Sequence, residues 1–301
     1  MGVDYAIAKL APELTGMTSI DNFDSFEKSK EIYTNAGFEL HGLEGDQFDM
    51  TRIKLGLPGK EQDIEKYCKM LENMNRLDVK LLCYNFMATG WYRTRKDIIE
   101  RGGAIVSGFS MKEAALEPAS QYGVFSENQI WDNYQCFIEQ VMPVAESNGI
   151  KMALHPDDPP ITPLHGISRI LTSAAAIDRA LSFSQSPSHG LTFCQGTYTT
   201  MNEDVEAMIE KHGKNKKIFF VHIRDVVGTP EDFRETFHDN GPTDMFRMMQ
   251  AYKAVGFDGP LRSDHVPTMA GESNEHFGYE MKGNLFGIGY IKGLMHGCGI
   301  K

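Results

Sequence analysis

Four apolar runs that each end on a side chain able to bind a metal constrain the fold of this chain more than any other feature. They are Lys151-Met-Ala-Leu-His155, Gly190-Leu-Thr-Phe-Cys194, Lys217-Ile-Phe-Phe-Val-His222 and Gly259-Pro-Leu-Arg262-Ser-Asp264. Each has the length and the aliphatic or aromatic content of a buried strand. The segments between them are long enough to carry helices. Strands joined in that way run parallel, which excludes a simple hairpin meander.

The same alternation extends toward the N-terminus. Residues 3–9, 38–43 and 79–87 read as strands, and residues 23–36 and 59–77 as helices. The second of these helices places Ile64, Tyr67, Cys68, Leu71 and Met74 at helical spacing. Residues 127–148 form a long amphipathic pattern in which Pro143 should mark a kink or an end. Helices are expected at residues 167–183, 202–212, 244–255 and 285–295. Residues 92–118, around Gly102-Gly103-Ala-Ile-Val-Ser-Gly108, read as a loop or hairpin excursion. A doubly wound sheet is the competing architecture, but no Gly-x-Gly-x-x-Gly follows the first strand. The expectation is therefore one α/β domain over residues 1–301, a TIM-type (β/α)8 barrel. Seven strands are clear. The eighth is either disguised near the N-terminus or in the Gly102 region, or closure there is irregular.

A formal net charge of −11 argues against a nucleic-acid surface, and it means that an anionic small molecule needs local cations or a metal. Cys68, Cys83, Cys136, Cys194 and Cys298 are odd in number and scattered, which fits a reducing cytoplasm better than a disulfide framework. No apolar run reaches the length of a membrane span, and the region of Met1 lacks the pattern of a signal peptide. The cluster Trp91-Tyr92-Arg93-Thr94-Arg95-Lys96 could meet an anionic substrate or a partner subunit, and an aromatic rim makes a homo-oligomer the expected assembly.

Parallel barrel strands bring their C-terminal ends to one mouth, so His155, Cys194, His222 and Asp264 should share a rim. Any one of them alone would read as an ordinary core residue. Four on successive strand ends read as a metal site. Two imidazoles, a thiolate and a carboxylate are too hard for Cu(I) and too soft for Mg2+ or Ca2+, which leaves Mn2+, Fe2+, Co2+ or Zn2+. Asn85, near the end of its own strand, could bond a polar ligand or cap a loop.

These residues resemble those of the D-mannonate dehydratase family. The resemblance rests on Cys83-Tyr-Asn-Phe-Met87, His155-Pro-Asp-Asp-Pro-Pro160, Gly190-Leu-Thr-Phe-Cys194, Val221-His222-Ile-Arg-Asp225, Arg262-Ser-Asp264-His265 and Gly278-Tyr279, in that order. It implies a TIM-type barrel in which His155, Cys194, His222 and Asp264 hold one Mn2+ or Fe2+. His265 and Tyr279 would then supply acid and base. The implied reaction removes water from D-mannonate to give 2-keto-3-deoxy-D-gluconate. Loss of the C3 hydroxyl needs a proton to leave C2, which a metal promotes as a Lewis acid, together with a base and an acid for the two transfers. Arg224, two residues beyond His222 on an extended segment, shares its face and could hold the substrate carboxylate; an ion pair with Asp157 or Asp225 is the alternative. Asp157 and Asp158 would orient a ligand imidazole or a sugar hydroxyl. Two stretches depart from the family pattern: Arg262-Ser-Asp-His-Val266, and Gln195-Gly-Thr-Tyr198 after the cysteine. Two other readings compete, a sugar isomerase or epimerase of the xylose-isomerase-like barrel type and a catalytically silent sugar-acid-binding homologue.

Overall fold

A computed structural model describes residues 2–10 and 19–300. The strands among these residues are β1 (Tyr5–Ala8), β2 (Glu39–Glu44), β3 (Leu81–Tyr84), β4 (Arg95–Ile99), β5 (Ile105–Ser110), β6 (Lys151–Leu154), β7 (His189–Cys194), β8 (Ile218–Ile223), β9 (Val226–Thr229), β10 (Asp232–Glu235) and β11 (Leu261–Ser263). Seven of them form one sheet in the order β1-β2-β3-β6-β7-β8-β11, and the other four form a sheet in the order β4-β5-β10-β9. In the first sheet β1–β2, β2–β3, β3–β6, β6–β7 and β8–β11 pair in parallel, and in the second β4–β5, β5–β10 and β9–β10 pair antiparallel. Every residue of β3 and β7 is buried. That is the reason their sequences are continuous apolar runs rather than alternations, since a parallel sheet is covered on both faces.

The chain divides into two compact units, the first comprising Met1–Ala88, Phe125–His155 and Asp178–Leu191, the second Thr89–Val124, Pro156–Ile177 and Thr192–Lys301. In the first unit the helices Lys60–Arg76 and Glu127–Ser147 supply an aromatic core: the rings of Tyr67 and Phe137 meet at 5.0 Å and those of Phe86 and Tyr134 at 5.1 Å, edge to face. Helix Glu127–Ser147 opens on a capping box of Ser126 and Gln129, and it continues through Pro143, which ends nothing. In the second unit, helices Val205–Lys214 and Met245–Ala254 start at the carboxylate caps Asp204 and Asp244.

Three parts of this architecture differ from the periodicity reading. Helix appears only over Ala174–Ser182 instead of 167–183. The preceding loop is fastened instead: Asp157 Oδ2 accepts from the Leu171 backbone at 2.8 Å, and the buried Arg169 guanidinium donates to the Pro159 and Gly90 carbonyls. A helix, Gln195–Thr200, begins directly after Cys194, where none was expected. The Gly102 region is the turn between β4 and β5, and it enters the antiparallel sheet through β10 rather than adding an eighth parallel strand. Short strands with polar faces, such as Asp232-Phe-Arg-Glu235, carry too little periodicity to be found without their partners.

Candidate functional site

The second unit gathers most of the chemistry. Cys194 closes β7 and is fully buried; its Sγ lies 3.7 Å from Asp264 Oδ2. His222 on β8 has Nδ1 3.6 Å from the same oxygen and packs edge-on against Phe220. Asp264 follows β11, where its backbone N–H bonds the Ile223 carbonyl at 3.0 Å and so registers it beside β8. Burial pushes the Asp264 carboxyl up, but His265, His222 and Arg262 outweigh it and hold the group well below the usual carboxylate range. His155 is the residue at which the chain passes from the first unit into the second, and its backbone N–H bonds the Tyr84 carbonyl at 2.7 Å. Within the second unit, Cys194 and His222 thus converge on one carboxylate oxygen of Asp264.

This donor set fits a transition-metal ion. Nitrogen, oxygen and sulfur atoms bound at about 2.0–2.3 Å in a tetrahedron stand roughly 3.3–3.8 Å apart. The separations of 3.6 and 3.7 Å fall in that interval, beyond the reach of a strong direct hydrogen bond. Cys194, His222 and Asp264 stand at the ends of the neighbouring strands β7, β8 and β11, so their convergence comes from the sheet.

His265 lies next along the chain. Its Nε2 is 2.9 Å from the Tyr279 hydroxyl and 3.7 Å from Asp264 Oδ1, while Nδ1 is 3.1 Å from Glu235 Oε1. Tyr279 is 45% exposed, whereas His265 is 4% exposed, so the pair joins a buried ring to an accessible hydroxyl. Trp91 covers the imidazole at a centroid distance of 4.8 Å and stacks on Phe277.

Behind His265 lies a closed group of charges. Arg224, read as a holder of the substrate carboxylate or as an ion-pair partner of Asp157 or Asp225, is fully buried and donates to Asp158 Oδ2 at 2.9 Å and to both Glu235 oxygens at 2.8 Å. Arg93 donates to Asp158 at 2.7 Å and to Glu235 at 2.6 Å. Burial opposes ionisation of both carboxyls. Arg224 and Arg93 nevertheless keep Asp158 far below its usual value, and Arg224, His265 and Arg93 bring Glu235 down to about 2. Arg224 also connects this group to the thiol, with Nη1 3.6 Å from Cys194 Sγ and 3.2 Å from Thr197 Oγ1. Gly196 is required here, since a Cβ would stand 2.6 Å from the Arg224 side chain.

The remaining expected contacts are more local. Asn85 Oδ1, in the first unit, accepts from Lys54 Nζ at 2.9 Å and from the Met87 backbone at 3.0 Å. Asp157 is joined to the Leu171 backbone through both its N–H and its carboxylate. Arg93 comes from the aromatic and basic cluster whose role was open, and within that cluster Arg95 pairs with Glu113 and Asp232. Glu235 and Lys54 were not singled out by sequence reasoning. Lys54 is 1% exposed and bonds Asp46 at 2.6 Å, an environment that no local pattern announces.

Comparison with known proteins is consistent with this arrangement. The model of the family "D-mannonate dehydratase (UxuA)" matches residues 15–118 and 111–299. Mannonate dehydratase 2 of Halalkalibacterium halodurans is 33% identical over 300 residues, covering 89% of this chain and 86% of the relative. The crystal structure of mannonate dehydratase from Streptococcus suis superposes with a TM-score of 0.82 at 26% identity, covering 100% of this chain and 96% of that one. A xylose isomerase-like TIM barrel protein from Mycobacterium smegmatis superposes with a TM-score of 0.62 at 12% identity, over 99% and 85% of the two chains. That likeness bears on the fold alone, and the fold class is α/β of the TIM type.

Proposed function

Because the chain belongs to the D-mannonate dehydratase family, we propose that it is a hydro-lyase that converts D-mannonate to 2-keto-3-deoxy-D-gluconate and water. The observation that carries this reading is the juxtaposition, within one unit, of Cys194, His222 and Asp264 with the His265–Tyr279 pair. A divalent metal, Mn2+ or Fe2+, would be held by His155, Cys194, His222 and Asp264, and when bound it supplies Lewis acidity toward the substrate carboxylate and so acidifies C2.

This chain's residues manage the protons. A proton leaves C2, the C3–O bond breaks with a proton delivered to the departing hydroxyl, and the resulting enol becomes the ketone by moving its hydroxyl proton to C3. One water is released and nothing is oxidised. His265 and Tyr279 carry the two transfers: the exposed phenol meets the substrate, and the buried imidazole exchanges a proton with it across 2.9 Å. Trp91 and Phe277 exclude water from one side of the imidazole, which strengthens each polar contact there. Asn85 and Asp157 hold the loops after β3 and β6, and Arg224 holds Asp158 and Glu235 in place behind the histidine.

Among the described residues no helix is long and apolar enough to cross a membrane. We place the enzyme in the reducing cytoplasm as a homo-oligomer acting on a free sugar acid, in keeping with its free cysteines and its formal net charge of −11. The test is direct. Protein stripped with a chelator, then reloaded with Mn2+ or Fe2+, should form a 2-keto-3-deoxy acid from D-mannonate. Absence of product from mannonate and from a panel of related aldonates, in protein shown to carry metal, would overturn the assignment.

A further inference from the structure

We propose that Glu235 is the positioning residue of the reaction: it takes a hydrogen bond from His265 Nδ1 and thereby aims Nε2 at the Tyr279 hydroxyl. This inference rests on the dehydratase reading for its kinetic consequence but not for its structural content.

Geometry decides where the ring's proton sits. Three groups lie near Nδ1, Glu235 Oε1 at 3.1 Å, Arg93 Nη2 at 3.5 Å and Asp158 Oδ2 at 3.9 Å. A bare Nδ1 would accept from the guanidinium at the outer limit of a hydrogen bond while its lone pair faced a carboxylate oxygen at close range. A protonated Nδ1 donates to that oxygen at a good distance and turns no lone pair toward it. The second arrangement is better on both counts. Glu235 is ionised here because Arg93 and Arg224 surround it, so it can only accept. The two guanidinium groups and the two carboxylates of Asp158 and Glu235 cancel in formal charge, so the support behind the imidazole is neutral as a whole.

The consequence reaches the reacting end of the ring. With Nδ1 occupied, the neutral imidazole has its lone pair on Nε2, 2.9 Å from Tyr279 Oη, and the phenol is the donor of that bond. A ring turned by half a revolution about its χ2 bond would lose both contacts. Glu235 therefore acts through His265 as an outer partner of a working histidine, a relation that typically changes activity by about 10- to 100-fold when broken. It reaches this place on β10, whose pairing with β5 and β9 holds the backbone on both sides.

Two measurements test the proposal. In 15N-histidine spectra of the wild-type protein, with the His265 signal identified by its loss in His265→Gln, Nδ1 should carry a proton, whether the ring is neutral or cationic. A neutral ring with bare Nδ1 would overturn the proposal, and this readout stands even if D-mannonate proves not to be the substrate. In kinetics, Glu235→Gln should lower kcat by roughly 10- to 100-fold with KM changed less than about twofold, and the same change in a His265→Gln background should cost less than about twofold. An equal loss in both backgrounds would mean that Glu235 supports the fold and not His265. Should Glu235→Gln fail to fold, the wild-type spectrum decides alone.

Discussion

Two buried clusters lie side by side in the second unit, and they are built on opposite principles. Arg93, Asp158, Arg224 and Glu235 close on one another at 2.6–2.9 Å, with as many guanidinium groups as carboxylates. Cys194 Sγ and His222 Nδ1 stand 3.7 and 3.6 Å from one oxygen of Asp264. The first cluster is complete as folded and has the character of a support. The second has donors spaced for a cation among them. A side chain's burial alone does not distinguish scaffold from site; the spacing between charged atoms does.

The comparison is broken most severely by removing one member of the closed cluster. Arg224→Met should leave Asp158 and Glu235 sharing a single guanidinium, that of Arg93, and should cost about 3–5 kcal/mol, read from urea unfolding. A loss under about 1 kcal/mol would show that the cluster is not the support described.

Removing a member of the open cluster should act on chemistry instead. In Cys194→Ala the bound metal should fall toward zero after dialysis and turnover should drop by about 10³-fold, since Lewis-acid stabilisation is worth several kcal/mol and each decade is about 1.4. Full metal content and activity in this variant would favour an isomerase-like site that does without a thiolate.

Tyr279→Phe separates proton transfer from both clusters. It should reduce kcat by about 10²-fold while metal content stays the same and the unfolding midpoint barely moves, because the residue is 45% exposed. A drop in metal content would assign the phenol to the metal's surroundings.

The smallest effect is a pH dependence of stability. Glu235 is lowered in the folded protein from the ordinary 4.5 to about 2, with burial opposing and Arg224, His265 and Arg93 prevailing. A depressed carboxyl stabilises the fold above the unfolded value and loses that contribution as the pH falls. The urea midpoint should therefore decline between pH 4.5 and about 2, and less steeply in Glu235→Gln. Equal slopes would remove Glu235 from the acid transition.

The two clusters also differed in how far they could be read in advance. His155, Cys194, His222 and Asp264 each end an apolar run, a local signal that survives without coordinates. His265 and Tyr279 were visible through motif resemblance. Arg93 was noticed only as part of a basic stretch, and Glu235 not at all: it sits in a four-residue strand that pairs on one side with β9 and on the other with β5, over one hundred positions upstream. Arg224 was noticed for its spacing from His222, but its partners were not predictable, because Asp158 and Glu235 arrive from a loop and from the antiparallel sheet.

By itself the amino-acid sequence determined the order of parallel strands and helices, the types of donor atom at the strand ends and the kinds of cation they suit, because hydrophobic period and ligand chemistry are properties of short segments. Only the tertiary structure decided which charges neutralise one another and which donor atoms are held apart at the distances a cation would span. That outcome depends on distances of a few tenths of an ångström between residues far apart along the chain, and Coulomb and hydrogen-bond energies change steeply over that range.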